Sequence, residues 1–571
     1  MRVAGETRGL TAVLAAHAPW LLAIAWSVLL LGPALAPGFV LSYDMVWVPD
    51  LAVRPDVWGL GTSLPRAVPS DAVVALLDDV VPGMWLQKLV LLGSLAAGGI
   101  GAAGLVGDRA LVARLAAVTL WIWNPLVVER LVLGQWPVLV GYGVLPWVLL
   151  AGRRWRASGR LPVRLGWLVP LGSLSVSTGL VTCLALLAVT GRRRALPAAG
   201  LLLAGQAPWL VAGLLHAGDA TSAASGAQVF ALRGEGLLPA PLAALGLGGV
   251  WNAEVVPASR EGLVAAVSLC VLAGLCAVGV RSALARVPRH DHWALFACWA
   301  VGFGLAVAGW ALPGAVGWLA AHVPGGGTLR DGSRLLVLCA PLLVVLVAHG
   351  TDVAVTRLRA TAAGAAVVSL GVAAVLWPVA VMPDAALGAS GRLTAVEYPS
   401  AYADLRRVVR DDAPPGDVLV LPLTSYRQPE WNDDHKVLDP TPRVVTRDAV
   451  GSDALVVSGV RLPGEDPRVL DAAAALTLST PGERSAALVR LGFGVVVVDD
   501  DRPAAPSVAG TPLLDADGLR AVALDGAEPA SAPWWWTALL AVAWAAYAAL
   551  PSGAIVLGVL RSRRSEADTG S

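Results

Sequence analysis

Two carboxylates six residues apart, Asp44 and Asp50, stand in the string Gly38-Phe-Val-Leu-Ser-Tyr-Asp-Met-Val-Trp-Val-Pro-Asp50 among Tyr43, Trp47 and Trp58. A carboxylate beside aromatic rings is partly desolvated, which raises its affinity for a proton and suits it to act as a general base on a hydroxyl. Each is a candidate catalytic residue, and each also fits a solvated loop acid or a helix N-cap. A second candidate group is basic: Arg330 and Arg334 in Gly325-Gly-Gly-Thr-Leu-Arg-Asp-Gly-Ser-Arg334. Guanidinium forks hold phosphate through paired hydrogen bonds, and glycines let a ligand come close to backbone. The same string also reads as a flexible loop with arginines anchored at a membrane interface. It is not a Walker loop, because no Gly-Lys-Ser/Thr follows.

Weaker candidates surround these. Lys88 opens an apolar run, placed either to contact a donor phosphate or to snorkel to the interface. Glu129, Arg130 and Gln135 lie at one turn, as an ion pair closing it or as part of an acceptor site. His216 and His322 lack partners at ligand spacing and read as interfacial. Asp433-Asp434-His435 is a solvated loop or a metal site, the loop being the ordinary reading. Cys183, Cys270, Cys276, Cys298 and Cys339 all fall in apolar runs without metal-ligand spacing and read as small buried hydrophobes. No metal ligand set is assigned, and a need for a divalent metal is left open.

The elements that must position these residues are membrane helices. Hydrophobic residues make up 56% of the 571 and charged residues 15%, with mean hydropathy +0.68, far from a soluble average. A net charge of +1 supplies no field that recruits nucleic acid. Arg2 and Arg8 precede an apolar run ending Ala34-Leu-Ala36 that mimics a signal-peptidase site, but the run is too long for a signal core and Pro37 would follow the cut. It reads as an uncleaved first span over about 14–36.

Basic clusters mark cytoplasmic loops. With the N-terminus inside, the clusters at 109–114, 153–164, 192–194, 281–289, 357–359 and 561–564 all fall inside, and the loops 37–84, 218–260 and 313–334 fall outside. The stretch 165–191 has basic residues at both ends, so one helix cannot span there. Pro170 and Gly172-Ser-Leu-Ser-Val-Ser-Thr-Gly179 break it, which predicts two short helices in a re-entrant hairpin, tolerated only where protein or a wet cavity surrounds the broken backbone. Residues 1–382 thus form a transmembrane domain. Residues 383–532 are more charged, with an amphipathic helix over 398–412, buried strands at 417–422 and 494–499, and a helix over 483–491 that Gly492 ends. They predict a small extracytoplasmic α/β domain. Residues 533–571 hold an interfacial Trp534-Trp-Trp536, a last span and a basic cytoplasmic tail. The fold class is an α-helical polytopic membrane protein of about 11–12 spans, in the plasma membrane with both termini cytoplasmic.

This layout resembles the GT-C superfamily of polyprenyl-phosphate-sugar glycosyltransferases, in particular its actinobacterial arabinofuranosyltransferase and YfhO-like branch. The resemblance rests on the acid-bearing first outer loop, on Trp123-Asn-Pro-Leu-Val-Val-Glu-Arg130 followed by Leu145-Pro-Trp147, on Trp85-Leu-Gln-Lys88, and on Leu329-Arg-Asp-Gly-Ser-Arg334 opening a late span. It covers roughly residues 14–352 as architecture. It implies that Asp44 matches the first-loop catalytic acid and that Arg330 and Arg334 lie near a lipid phosphate. One departure is that the family acid often comes as an adjacent pair, whereas Asp44 and Asp50 are six apart.

The function expected is a membrane glycosyltransferase moving a sugar, of arabinofuranose or mannose type, from a polyprenyl-phosphate donor to a cell-envelope glycan or glycolipid. Its partners would be membrane lipid, the lipid-linked sugar, the glycan acceptor and other envelope-synthesis proteins, with no nucleic acid. Tyr402, Tyr426 and Trp431 either stack on sugar rings or pack in a core. Two rivals are a lipid or polysaccharide transporter, which broken helices also suit, and a non-catalytic envelope-assembly protein.

Overall fold

The computed structural model describes residues 2–569 apart from 62, 219, 458 and 500–504, without the side chains of residues 2–14 and 562–569. Among the described residues nine helices are long and apolar enough to cross a membrane: Ala15–Leu35, Gly83–Val106, Leu111–Val132, Trp136–Ser158, Arg192–Leu215, Leu263–Arg286, Arg289–Ala311, Ala340–Arg359 and Trp534–Arg561. A tenth is broken, with Gly364–Ala380 and Pro383–Gly391 meeting at a bend of 62°. The fold is that of a polytopic helical membrane protein with a small sheet unit.

The stretch 165–191 is interrupted where its sequence suggests. Leu165–Leu171 and Val176–Thr190 are separate helices. At about 1.5 Å per residue neither reaches across the roughly 30 Å of hydrocarbon, so the count of full spans is below the 11–12 obtained by taking every apolar run as one. The broken backbone is satisfied from within the bundle. Thr182 Oγ1 donates to Gly172 O at 3.1 Å, Gln206 Nε2 donates to Ser173 Oγ at 2.7 Å, and the Ser175 side chain accepts from Thr178 N to cap the second helix. Elsewhere small residues let helices touch. A methyl group on Gly279 would run into the backbone of Leu346 and Gly350, and one on Gly350 into Leu275.

The C-terminal unit is built on a five-stranded mixed sheet in the order Thr511–Ala516, Leu519–Ala523, Phe493–Asp499, Asp417–Leu421, Ala449–Val450. The two longest apolar runs, 417–421 and 493–499, sit side by side and parallel, buried along their whole length. Apolar residues on both faces fit a strand covered on both sides. The helix Pro481–Arg490 starts with a capping box, Thr480 to the Glu483 amide and Glu483 back to Thr480, and ends at Gly492 with φ +87°. A separate two-stranded ribbon pairs Tyr426–Arg427 with Val437–Leu438.

This unit is packed onto the loops rather than tethered beside them. Phe39–Val40 pairs antiparallel with Ala395–Val396, and Tyr43 bridges to Val437. One apolar cluster runs from Trp121 and Trp123 in the bundle through Trp47 and Tyr402 to Val418 and Val497 in the sheet.

Candidate active site

Asp44 sits where the 37–84 loop, the 132–136 turn and the C-terminal ribbon meet. Its backbone is fixed first. Ser42 and Met45 exchange hydrogen bonds across a tight turn, Ser42 Oγ donates to Val132 O at 2.7 Å, and Asp44 N donates to Leu133 O at 3.0 Å. Gly134, at φ +73°, lets the second turn lie directly against the first, since a side chain there would occupy the space of Ser42 O and Met45 N. On the opposite side Tyr43 N donates to Lys436 O at 2.7 Å and Leu438 N to Tyr43 O at 2.8 Å. Held from both sides, Tyr43 adopts φ +46°, a conformation costing a bulky residue on the order of 1–3 kcal/mol. The result is an aspartate presented on a rigid, strained turn.

The carboxylate is engaged at both oxygens. Tyr426 OH donates to Oδ1 at 2.5 Å and Gln135 Nε2 to Oδ2 at 3.3 Å. The other end of the Gln135 amide accepts from Arg130 Nη1 at 2.7 Å, and Arg130 reaches Asp331 at 3.3 Å and Ser333 Oγ. Asp331 in turn accepts from Arg334 Nε at 2.9 Å and Trp251 Nε1 at 3.3 Å. Burial opposes the charge on Asp331, yet the guanidinium groups of Arg130 and Arg334 hold it below the usual carboxylate range. A continuous chain therefore links Asp44 to Arg334 through Gln135, Arg130 and Asp331. Arg130 is 1% exposed at its side chain and Arg334 37%. Arg130 is thus structural, and Arg334 is the cation that an incoming anion can reach.

The remaining candidates are placed as follows. Arg330 lies over the Phe230 ring at 4.8 Å and pairs with Glu465 at 2.8 Å, which also takes Arg66. Its direct contacts are with the 218–260 loop and the C-terminal unit, not with the Asp44 chain. Glu129 and Arg130 do not close their turn by pairing with each other. Glu129 is buried beside Glu235, whose carboxylate takes Arg260 and the Gly249 N–H, and among the described residues its own Oε1 has no hydrogen-bond partner. Lys88 is buried in Gly83–Val106, and its Nζ has no hydrogen-bond partner among the described residues. Asp50 pairs with Arg406 at 2.6 Å and lies with Asp78 and Asp79, their oxygens within 4.8 Å of one another. Among the described residues these three are the acids at metal-holding separation, and 433–435 is a turn with φ +52° at Asp433 and +55° at Asp434. His216 bridges Ala212 O and Gly61 O, and His322 bonds Trp318 O. Tyr402 packs in a ring cluster with Tyr398 and Trp431, whereas Tyr426 faces Asp44.

The acid cluster yields a pH test. Burial, reinforced by Asp50 and Asp79 and opposed by the Leu51 N–H, pushes the Asp78 carboxyl from 3.8 up to about 6. A raised folded-state value favours the fold while the group is protonated, and that contribution is lost as pH rises through about 6. Asp78→Asn is therefore expected to raise the thermal midpoint above that of the unmutated protein at pH 7.5. The gap should close near pH 4, and a gap independent of pH in melting curves would contradict this.

Asp331, Ser333 and Trp251 are not among the candidates that local pattern offers, and Tyr426 is among them only as a ring that stacks on sugar or packs in a core. Asp331 stood between the two arginines that drew attention, and Tyr426 had only its aromatic character as a signal.

No protein-family model and no curated protein matches the chain. Solved structures do. Arabinofuranosyltransferase AftD from Mycobacteria superposes with TM-score 0.53 at 16% identity, over 89% of this chain and 40% of that one. A mutant of the same protein gives 0.54 at 16% identity, over 90% and 42%. The fold is GT-C-like. The chain spans about two fifths of the length of the AftD chain it matches. The Asp44–Arg334 chain is assembled from three loops, 37–84, 132–136 and 323–339.

Proposed function

We propose that this protein is a membrane glycosyltransferase that takes a sugar from a polyprenyl-phosphate donor in the outer leaflet and passes it to a cell-envelope glycan or glycolipid. The observation that carries the reading is a half-buried carboxylate tied by one hydrogen-bonded chain to an accessible guanidinium. In the reaction the acceptor hydroxyl oxygen attacks the anomeric carbon, and its proton goes to Asp44. The bond from the anomeric carbon to the phosphate oxygen breaks, and the electron pair leaves with the polyprenyl phosphate. Arg334 faces the charge that develops there, which fixed cations stabilise more than water does. Arg330 and Lys88 are further candidate phosphate contacts, and Gln135 with Arg130 fixes the orientation of the base. The site faces outward, with both termini cytoplasmic and 383–532 on the outer side of the plasma membrane. Likeness of fold to an arabinofuranosyltransferase supports the class of reaction, and the sugar and acceptor are for assay to determine.

The test is transfer from synthetic polyprenyl-phosphate sugars by the purified full chain in proteoliposomes. Movement of the donor between leaflets without transfer would replace this reading with that of a carrier. Arg334→Gln is expected to weaken donor binding by about tenfold or more, the scale of one charge-assisted hydrogen bond. Binding of polyprenyl phosphate itself measures it, and unchanged affinity removes Arg334 from the phosphate site.

A further inference from the structure

We propose that Tyr426 is a positioning residue for Asp44, so that the C-terminal unit completes the active site instead of only recruiting a substrate to it. The inference rests on the transferase reading for its catalytic consequence and on geometry for the rest. Tyr426 and Val437–Leu438 belong to one ribbon, in register at Tyr426 and Leu438. That ribbon makes three bonds to two consecutive residues of the 37–84 loop. Lys436 O and Leu438 N hold the Tyr43 backbone, and the Tyr426 hydroxyl holds Asp44 Oδ1 at 2.5 Å. The two tyrosine rings also meet edge to face at 5.9 Å.

The ribbon is itself anchored. Arg427, next to Tyr426, is buried and pairs with Asp439 at 2.6 Å and with Asp499, at the end of a central strand, at 3.0 Å. Position is thus transmitted from the sheet through Arg427 to the ribbon and so to Asp44. From the other flank Glu254 accepts from Tyr43 OH at 2.5 Å and from Lys436 Nζ at 2.7 Å, closing the same corner. Burial first, and the nearby Asp44 second, push the Tyr426 hydroxyl well above its ordinary range, so it remains a donor at any working pH. With Oδ1 occupied by Tyr426, proton uptake falls to Oδ2, on the side of Gln135.

The charged and titratable groups around this carboxylate are Tyr43 on its own turn, Tyr426 and Lys436 from the ribbon, Glu254 and Arg392 beyond Tyr43, and Arg130, Asp331 and Arg334 behind Gln135. Of these groups only Tyr426 is altered by Tyr426→Phe, which removes one oxygen and keeps the ring. In the full chain, Tyr426→Phe is expected to lower kcat by about 10–100-fold, leave KM within about twofold, and move the acidic limb of the pH–rate profile to higher pH. The shift follows because a donor to the charged form of the base is gone. A change in stability alone would not move that limb. Unchanged kcat with an unmoved limb overturns the proposal.

Should the unmutated chain transfer no sugar from any donor, the reaction assigned above fails, and hydrogen exchange decides the positioning claim. Tyr426→Phe should then speed exchange in peptides covering 39–47 while 493–499 stays protected. Equal exchange in both proteins overturns it.

Discussion

Asp44→Asn is expected to reduce transfer by roughly 10²–10⁴-fold, the usual worth of a positioned general base. The substitution preserves shape and keeps an oxygen for either Tyr426 or Gln135, so the turn should remain folded. Donor binding should persist, because the cation assigned to the phosphate lies at the far end of the chain through Arg130 and Asp331. Turnover of the purified variant, measured beside equilibrium binding of polyprenyl phosphate, separates the two effects. Full activity would remove Asp44 as the base, and joint loss of binding and folding would make it a structural residue instead.

Asp331→Ala should produce the largest loss of stability. Asp331 is 5% exposed and lies between Arg130, which is fully buried, and Arg334. Deleting one member of a buried ionic group leaves its partners charged and unpaired, which costs about 3–5 kcal/mol. The loss also frees Ser333 and Trp251 from their shared acceptor. The expected readout is a thermal midpoint in nanodiscs well below that of Asp44→Asn. The double variant with Arg130→Met should recover part of the loss, since it removes the orphaned charge as well. No recovery would mean that the Asp331 effect arises from the loop and not from the ionic chain.

Much of the scaffold was legible in local sequence. The runs 417–422 and 494–499 are apolar on both faces and became the two central strands. The helix expected over 483–491 is present as Pro481–Arg490, starting two residues earlier because Thr480 caps it, and Gly492 follows its end as expected. The Gly and Ser residues at 172–175, flanked by arginines on both sides, revealed a broken helix because charge placement forbade a continuous one. The strand Thr511–Ala516 has no buried residue and Leu519–Ala523, though it alternates, buries only Leu519 and two alanines, so neither carries a strong apolar period, and Val437–Leu438 is too short for one.

The site was legible only in part, for a different reason. Asp44 and Asp50 look alike in sequence, each a loop acid near tryptophans, yet one joins Gln135 and Tyr426 while the other joins Arg406. Arg330 and Arg334 likewise diverge, to Glu465 and to Asp331. What distinguishes them is the long-range partner, and neither periodicity nor spacing encodes a partner hundreds of positions away. The same applies to Glu129, which follows no local pattern in lying buried beside Glu235.

Asp44 and Tyr426 are separated by 382 residues of chain. At the roughly 5–20 residues per second of synthesis, the aspartate exists for some tens of seconds before its tyrosine does. For most of that interval Phe39–Val40 has no Ala395–Val396 to pair with, and Trp47 lacks the packing it later shares with the sheet unit. The 37–84 segment therefore lacks half of its packing until the last quarter of the chain is made. A chain cut before residue 437 would keep the candidate spans up to Gly364–Ala380 and lose Val437–Leu438, and with them the ribbon that holds Tyr43 and Asp44 from the far side.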